Sequence, residues 1–447
     1  MVARGEIARK DGKRFMATTY RVYAISLGCP KNRVDTEVAL GALPFSHVMV
    51  SSPQEADLVV INTCAFIAPA VEESVAAILE TADILRELTP RPKLAVMGCL
   101  PARFGEELRA GLPEVDIWGL PTAPELFPGR VAEALGAPTA APSGRLASTP
   151  PSYAYLKIAE GCDHACRYCT IPSIRGRLAS QPMDALVEEA RGLLAGGVSE
   201  LVLVAQDVTA YGRDLGLKEG LRQLLDRLLP LAGLKWLRLL YLYPSGVTDA
   251  LLSHLAGVGR PFLPYFDIPF QHVHPEMLAA MARPKAADAQ AVIDRVRHYF
   301  PDAALRSTFI VGLPGEKKAH FDALLDFVSR ARLHHVGVFP YHREEGTPAA
   351  SMPGQVRRDV KERRVEAVMA AQRAISADIL GAYVGTTQEV LVDAVHGEWP
   401  GLHVGRTWFQ APEIDGVTYV SGPDVAPGAL VTATIEEAKD YDLVALA

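Results

Sequence analysis

The chain has 447 residues, with 45 basic and 52 acidic side chains and a formal net charge of −7. This length allows two to four domains, each with its own core. The net negative charge argues against broad nonspecific binding to nucleic acid. No uninterrupted apolar stretch is long enough to span a bilayer and no signal-peptide pattern opens the sequence. We therefore expect a cytoplasmic protein, where reducing conditions keep cysteines free for metal binding.

After a basic tail expected over residues 1–19, three apolar runs of strand type each end in a cysteine. Helix-like segments at 32–42 and 69–88 separate the runs, which predicts a βαβαβ open parallel sheet in a domain covering 20–136. The functional crevice of such a sheet lies beyond the carboxyl ends of its strands, so the cysteines can converge there and hold a metal cluster. The alternative is three small, buried, apolar residues. The three are Cys29, Cys64 and Cys99.

A Pro-rich stretch, 137–152, resembles a linker. Residues 153–380 then contain six strand-like runs that alternate with helix-like segments. Six such units predict an open, partial (β/α)6 barrel rather than the complete form with eight units. The six runs are YLKIA, ELVLVAQ, WLRLLYL, PYFDIPF, LRSTFIVG and HHVGVFP.

A tight cysteine loop, EGCDHACRYCTIP, follows the first of these runs and carries Cys162, Cys166 and Cys169. Three thiolates can hold three corners of an iron-sulfur cubane and leave the fourth iron open. A small molecule with amino and carboxylate groups could chelate that iron. Zinc, with His164 as a fourth ligand, is the alternative reading of this loop.

In residues 381–447, the short alternating runs QEVLVDAV, GVTYVSG and ALVTATIEEA predict a small β-barrel. This segment has only two basic residues, Arg406 and Lys439, against ten acidic ones. A phosphate backbone would be repelled by such a module, whereas a basic protein would be attracted. A soluble acidic surface without a partner is the alternative.

The CxxxCxxC loop after the first strand of a βα barrel resembles the radical-SAM superfamily. Tyr168 matches the aromatic residue usual before the last cysteine, and Gly312 and Gly315 lie in GLPGE, which is similar to the cofactor-contacting turn of that superfamily. With this loop, a set of motifs together resembles the methylthiotransferases: SLGCPKN, INTCAFI, VMGC, VAQDVTAYG, DIPFQH, YHREEGTPA and APEIDG. SLGCPKN and APEIDG favour the branch that modifies a ribosomal protein over the branch that modifies transfer RNA. Gln410 departs from the Asp often found before APEIDG.

This resemblance implies an N-terminal methylthiotransferase domain, a radical-SAM barrel and a C-terminal TRAM domain. It implies S-adenosylmethionine (SAM) and two 4Fe–4S clusters, one on the tight cysteine loop that cleaves SAM and an auxiliary one on the three dispersed cysteines. The reaction would place a methylthio group on the β-carbon of an aspartate in small-subunit ribosomal protein twelve, free or on the ribosome. An unactivated C–H bond of this kind requires radical chemistry from a cofactor.

The implied enzyme also needs a reducing electron donor and a sulfur source, with no membrane and no RNA substrate. Two other functions stay open: the same chemistry on a transfer RNA adenosine, and a non-catalytic iron-sulfur scaffold or redox sensor. No catalytic residue is assigned. Arg175 and Arg177 suit a carboxylate, of SAM or of the target aspartate, or else face solvent. Polar residues at the ends of the second and fourth barrel strands either face the cofactor or cap loops. The residues predicted to bind the cofactor are Tyr168, Gln206, Asp207, Gln271, Gly312 and Gly315.

Overall fold

The structure is a computed structural model that describes residues 19–121, 124–137, 144–283 and 288–447. The predicted tail, apart from Thr19, and the middle of the predicted linker lie outside the described residues. The chain forms two compact units. The first contains the residues up to Ser148 together with Ser173–Arg175, and the second contains the rest. Among the described residues, no helix combines the length and the apolar character needed to cross a membrane.

The first unit contains a five-stranded parallel sheet with the order β2-β1-β3-β4-β5. The predicted βαβαβ arrangement forms its centre, and two short strands extend it at the edges. The buried central strand presents Val59 and Ile61 to one core cluster and Leu58 and Val60 to the other, because successive side chains of a strand point to opposite faces. The elements are β1 (Tyr20–Ser26), α1 (Pro30–Gly41), β2 (His47–Met49), β3 (Leu58–Thr63), α2 (Ala68–Arg86), β4 (Lys93–Gly98), α3 (Cys99–Gly111), β5 (Ile117–Trp118) and α4 (Phe127–Leu135).

The second unit contains an open six-stranded parallel sheet with the order β6-β9-β10-β11-β12-β13. All six predicted strand runs form strands of this sheet, so the partial barrel is confirmed. Its strands are β6 (Tyr153–Lys157), β9 (Glu200–Val204), β10 (Trp236–Leu239), β11 (Phe262–Asp267), β12 (Ala304–Val311) and β13 (His335–Pro340), and β7 (Ala159–Glu160) and β8 (Ala179–Ser180) form a separate pair. Helix α5 (Ile171–Arg175) begins in the second unit, and its residues Ser173–Arg175 belong to the first. The other helices of the second unit are α6 (Met183–Ala195), α7 (Gly220–Leu228), α8 (Asp249–Val258), α9 (Pro275–Ala280), α10 (Ala289–Tyr299), α11 (Lys318–Ala331) and α12 (Arg358–Gly381).

The C-terminal segment of the second unit is a closed five-stranded β-barrel with the order β14-β15-β16-β18-β17. The predicted small barrel is confirmed. The three runs recognised in the sequence form β14, β16 and β17, and two strands that the sequence analysis did not identify, β15 and β18, complete the barrel. Gln410 is fully buried here, and its Oε1 accepts hydrogen bonds from Thr407 N and from the hydroxyls of Thr407 and Thr418. This glutamine therefore supports the barrel interior. The strands are β14 (Thr387–Val395), β15 (His403–Thr407), β16 (Thr418–Ser421), β17 (Leu430–Ala438) and β18 (Leu443–Leu446).

A buried charge network joins this small barrel to the six-stranded sheet. Glu200, the first residue of β9, accepts from Arg238 Nε at 2.7 Å and from Arg406 Nη1 at 2.6 Å. Arg406 also donates to Asp393 at 2.8 Å. Opposed charges of this kind tolerate burial because each has its partner, and removal of one partner would leave an uncompensated charge. The network lies at the amino end of β9, whereas the tight cysteine loop follows β6 at the carboxyl end.

Candidate metal centres and cofactor site

The three dispersed cysteines come together within the first unit, each just beyond the end of a central strand. Cys29 follows β1, Cys64 follows β3 and Cys99 begins α3 after β4. Burial, with smaller contributions from the neighbouring thiols of Cys99 and Cys29, raises the pKa of Cys64 to about 11. Burial also raises the pKa of Cys99. The three free thiols therefore face one another at the predicted edge of the sheet.

Two glycines allow this convergence. At Gly28, with φ +91°, an added Cβ would lie 2.7 Å from Cys64 Cβ and 3.0 Å from its sulfur. At Gly98, with φ +100°, an added Cβ would lie 2.1 Å from Asn62 Oδ1. Both positions combine a left-handed backbone with a close approach, so only glycine fits without rearrangement.

Asn32 ties the cysteine-bearing loops of the first unit together. It is fully buried, and its Nδ2 donates to Leu27 O and to Thr63 O, both at 2.9 Å. These carbonyls lie shortly before Cys29 and directly before Cys64 in the chain. The Asn32 side chain thus fixes the spacing of two cysteine loops, which explains why an amide suits this position of the SLGCPKN segment.

Arg175 completes the same cluster, since residues 173–175 belong to the first unit. Its Nε and Nη2 both lie 3.3 Å from the Cys99 sulfur, and its Nη1 donates to Asp35 Oδ2 at 2.6 Å. Nη2 also donates to Asn32 Oδ1. Arg175 is buried, so the alternative in which it faces solvent is wrong, and the carboxylate that it pairs with in this structure is that of Asp35.

In the second unit, each sulfur of the tight loop accepts a hydrogen bond from one N–H donor. His164 N lies 3.4 Å from the Cys162 sulfur and Ile171 N lies 3.4 Å from the Cys169 sulfur. Arg283 Nη1 lies 3.6 Å from the Cys166 sulfur. Burial raises the pKa of Cys169 to about 12, with contributions from the other two thiols. Metal binding must displace these protons, and the N–H groups then stabilise the thiolates.

Both trios offer three soft thiolates, which suit an iron-sulfur cluster. A structural zinc site would require a fourth ligand from Cys or His. Among the described residues, the one group of three metal-binding side chains with ligand atoms all within 4.8 Å of one another contains no cysteine.

His164 lies in the wall of a cavity beside the tight loop. Its Nε2 lies 2.8 Å from Asp207 Oδ2, and its ring stacks on Tyr243 with centroids 3.8 Å apart. These groups line a cavity of about 300 Å³ that also reaches Cys162 and Arg213. The pair with Asp207 and the stacking on Tyr243 fix the orientation of the imidazole.

The group with closely spaced ligand atoms is His274, Glu276 and His320. His320 Nε2 lies 3.1 Å from Glu276 Oε2. Nδ1 of His274 accepts from Glu276 N, and Nδ1 of His320 accepts from Lys317 N. A neutral imidazole that accepts at Nδ1 carries its proton at Nε2, so neither ring offers a free ligand nitrogen. This cluster is a hydrogen-bonded network that supports the start of α11.

Arg283 is a buried cation beside the tight loop that the sequence did not reveal. Its Nη2 donates to Pro269 O at 2.8 Å, and its guanidinium lies 4.4 Å from the Tyr243 ring centroid. Neighbouring Tyr168 and Cys166 contribute to a raised pKa for this arginine despite its burial. Tyr168 packs against the apolar cluster of Met277, Met281, Leu313, Tyr341 and Ala349.

Two of the predicted cofactor residues present buried amide oxygens that accept no hydrogen bond from the described part of the chain. Gln206 donates through Nε2 to Glu160 Oε1 at 2.6 Å, while its Oε1 is buried and unpaired. Gln271 Oε1 is likewise buried and unpaired, and its backbone has φ +70°. Asp207 instead uses Oδ1 to accept from Thr209 N at 2.9 Å and Oδ2 for His164. Buried polar atoms are normally satisfied, so the two amide oxygens suit a bound polar ligand.

The glycine turn after β12 is held by Glu316. The buried carboxylate accepts from Gly312 N and Leu313 N and pairs with Arg364 Nη1 at 3.0 Å. A Cβ at Gly312 would lie 2.3 Å from Lys361 Cγ, and Gly315, with φ +84°, donates its N–H to Gly354 O. The turn is thus a fixed backbone surface, as a cofactor-contacting segment requires.

Much of the acidity of the C-terminal barrel is directed at the second unit itself. Glu389 pairs with Arg260 at 2.9 Å, and Asp415 accepts from Tyr265 OH at 2.6 Å. Others are Asp393, which accepts from Ser152 Oγ, Glu413, which accepts from Tyr155 OH, and Asp440, which lies 3.5 Å from Arg373. Four carboxylates remain exposed without such a role: Glu398, Asp424, Glu436 and Glu437.

Sequence profiles of three families match successive parts of the chain. Uncharacterized protein family UPF0004 matches residues 21–119, the radical SAM superfamily matches 156–328 and the TRAM domain matches 384–447. Among solved structures, the radical S-adenosylmethionine methyltransferase TsrM from Kitasatospora setae has a TM-score of 0.54 and 15% identity. That likeness covers 87% of this chain and 81% of TsrM, and it supports the fold alone.

Curated relatives named ribosomal protein uS12 methylthiotransferase RimO match nearly the whole chain. The relative from Oleidesulfovibrio alaskensis is 58% identical, covering 95% of this chain and 99% of its own. The relative from Lawsonia intracellularis is 50% identical, with 96% and 98% covered, and one from Anaeromyxobacter is 46% identical, with 96% and 93% covered. The chain therefore belongs to the RimO family of methylthiotransferases within the radical SAM superfamily.

Proposed function

We propose that this enzyme adds a methylthio group to the β-carbon of an aspartate in ribosomal protein uS12. As a radical-SAM methylthiotransferase, it uses S-adenosylmethionine and two 4Fe–4S clusters. We assign the SAM-cleaving cluster to Cys162, Cys166 and Cys169. We assign the auxiliary cluster, which holds the sulfur to be transferred, to the three dispersed cysteines of the first unit.

The observation that carries this proposal is the presence of two separate sets of three free cysteines. One set lies within a single loop, and the other lies just beyond the ends of three parallel strands. Three ligands for four irons leave one position open in each cluster. One open position suits the amino and carboxylate groups of SAM, and the other suits a sulfur species.

The chain's own residues would bind and orient SAM in the second unit. When loaded, the cluster on the tight loop supplies the electron that cleaves SAM to a 5′-deoxyadenosyl radical. The unpaired amide oxygens of Gln206 and Gln271 would accept hydrogen bonds from SAM. The turn at Gly312 and Gly315 would contact it through the backbone, and Tyr168 would close the site beside the cysteines. The wall formed by His164, Asp207 and Tyr243 would exclude water from the radical.

We propose that the exposed carboxylates of the C-terminal barrel help to attract the substrate. A ribosomal protein that binds RNA is basic, whereas RNA itself would be repelled by these charges. Only four of the ten carboxylates serve this purpose clearly, so the attraction is weaker than the sequence count indicates. We propose a cytoplasmic location, which a ribosomal substrate supports. An electron donor and a sulfur source must come from other components, and no RNA substrate is expected.

The test is a mass measurement after anaerobic reconstitution with iron and sulfide. The enzyme is incubated with SAM, a reductant and either free uS12 or intact small subunits. The expected result is a uS12 mass gain equal to one methylthio group less one hydrogen, placed on an aspartate by fragmentation. In the matched control variant, Cys29, Cys64 and Cys99 are replaced by alanine. This variant should cleave SAM without modifying uS12. Modification of transfer RNA with none on protein would contradict the proposal.

A further inference from the structure

Arg175 is a buried cation whose main contacts lie at the dispersed cysteines. It is six residues beyond Cys169 in the chain, yet it belongs to the first unit together with Ser173 and Ile174. Ile174 anchors this short segment in the core of the first unit. The guanidinium is 2% exposed and directs both Nε and Nη2 at the Cys99 sulfur, each at 3.3 Å. Two donors from one planar group thus converge on a single thiol.

The remaining contacts of this guanidinium fix its orientation. Nη1 donates to Asp35 Oδ2 at 2.6 Å, and Nη2 donates to Asn32 Oδ1. Asn32 in turn holds the loops that carry Cys29 and Cys64. Arg175 is therefore joined to the supports of all three cysteines. Its planar fork is fixed at both ends, as arginine requires for bidentate contacts.

The charge of Arg175 bears on the chemistry of a cluster held there. Three thiolates on a 4Fe–4S core give a negative centre, and each added electron increases that charge. Burial raises the pKa of Cys99, and Arg175 opposes this rise through its charge and its hydrogen bonds. N–H···S hydrogen bonds and a nearby positive charge both favour the more negative, reduced state of an iron-sulfur cluster.

We infer that Arg175 is a positioning residue of the auxiliary centre: it holds the Cys99 sulfur in place and raises the reduction potential of the cluster bound there. This inference rests on the proposed assignment of the auxiliary cluster. The two are separable, because iron content tests the assignment and the reduction potential tests Arg175. The carboxylate of Asp35 partly balances the positive charge of the guanidinium. The hydrogen bonds to the Cys99 sulfur and the remaining positive charge therefore both contribute to the reduction potential.

Arg177 provides a matched control in the same segment. It lies two residues further along and is 89% exposed, and its Nε donates to Asp163 at 3.1 Å. Among the described residues, its side chain forms no hydrogen bond with a cysteine. Replacement of Arg177 by Gln therefore removes one arginine from the same motif while leaving the dispersed cysteines untouched.

The experiment uses the full chain with Cys162, Cys166 and Cys169 replaced by alanine, so that only the auxiliary cluster is loaded. Three further variants are compared in this background: Arg175→Gln, Arg175→Gln with Asp35→Asn, and Arg177→Gln. The double variant avoids an unpaired buried carboxylate. Iron per chain, the unfolding temperature and the midpoint potential, followed by electron paramagnetic resonance during a redox titration, are measured for each.

The expected result is a shift to lower potential for Arg175→Gln, a smaller shift in the same direction for the double variant, and none for Arg177→Gln. An unchanged potential in either loaded Arg175 variant would overturn the inference. Loss of iron from both Arg175 variants, at an unfolding temperature equal to that of Arg177→Gln, would support the inference that Arg175 holds the Cys99 sulfur in place. Loss of iron with a lowered unfolding temperature would overturn it, since Arg175 would then serve the fold alone.

Discussion

The two cysteine sites differ in how the chain builds them. The tight trio is local: Cys162, Cys166 and Cys169 lie within one loop, and two of its sulfurs accept backbone N–H groups from that loop. The dispersed trio depends on the sheet, because Cys29, Cys64 and Cys99 follow the three adjacent strands β1, β3 and β4. A local site survives changes elsewhere, whereas a dispersed site fails when the packing between strand ends fails.

Both sites nevertheless share one electrostatic feature. Arg283 lies 3.6 Å from the Cys166 sulfur, and Arg175 lies 3.3 Å from the Cys99 sulfur. Both arginines are buried. A buried guanidinium beside thiolates offsets the accumulation of negative charge in a medium of low dielectric. The two sites therefore differ in how the chain builds them, and four substitutions test this difference.

The largest effect is expected from Gly98→Ala. The new Cβ would lie 2.1 Å from Asn62 Oδ1 and 2.6 Å from Thr63 O, at a φ of +100°. The backbone must move, and we expect a loss of about 3 kcal/mol or more in the free energy of unfolding of the first unit. Iron content should fall from about eight to about four per chain, because only the tight loop remains loaded. Denaturant titration and iron analysis measure both.

Gly111→Ala is the matched control for this change. Gly111 ends α3, and a Cβ there has no neighbour within 4 Å. Its iron content and stability should stay at the wild-type values. Retention of about eight irons by Gly98→Ala would contradict the view that close packing at the strand ends builds the dispersed site.

A smaller effect is expected from Asn32→Ala. The change leaves the carbonyls of Leu27 and Thr63 without the donors they now have at 2.9 Å. Unsatisfied buried carbonyls predict a loss of about 2 kcal/mol. The dispersed trio should load less iron, while reductive SAM cleavage at the tight loop continues. Chromatographic measurement of 5′-deoxyadenosine checks this separation, and equal losses at both sites would refute it.

Acid should weaken the second unit through His334. Burial, with smaller contributions from neighbouring His335 and Arg297, lowers the pKa of His334 to about 3. The folded-state pKa lies below the unfolded value, so the stability is present above about pH 6.5 and is lost as pH falls below it. His334→Asn, which keeps an acceptor for Leu305 N, should reduce the loss between pH 7 and pH 5 by about 2 kcal/mol.

The first unit should lack this response, because its first 148 residues contain one histidine, His47. Denaturant unfolding at the two pH values, compared for wild type and His334→Asn, measures the difference. An identical pH dependence in both proteins would show that His334 is not the group that titrates.

The smallest effect on metal content is expected from His164→Ala. The imidazole is bound to Asp207 and stacked on Tyr243, so its removal should open the cavity wall and leave the three thiolates in place. Iron should stay at about eight per chain. Loss of about four irons would restore the reading in which His164 is a ligand of the tight loop.

The sequence was sufficient where the signal was local or periodic. Six alternating apolar runs predicted every strand of the six-stranded sheet, since buried parallel strands read as continuous apolar segments. The strand-end rule also predicted the convergence of Cys29, Cys64 and Cys99, because each cysteine lies within three residues of the end of its strand. These inferences needed no knowledge of which distant residues meet.

The sequence was insufficient where partners come from distant segments or elements are short. The edge strands β2 and β5 have three and two residues, too few for any periodicity. Arg175 meets Cys99 across a separation of 76 residues, and Arg283 meets Cys166 across 117. The net acidity of the C-terminal segment also misled in part, because paired and exposed carboxylates count alike in a sequence. Such pairings follow from the tertiary fold.

The most direct test of the account is the iron content of two reciprocal triple variants after anaerobic reconstitution. One variant replaces Cys29, Cys64 and Cys99 by alanine, and the other replaces Cys162, Cys166 and Cys169. We predict about eight irons for the wild type and about four for each variant, with SAM cleavage retained only in the first. A wild-type value near four, or loss of all iron from either variant, would contradict the presence of two independent three-cysteine centres.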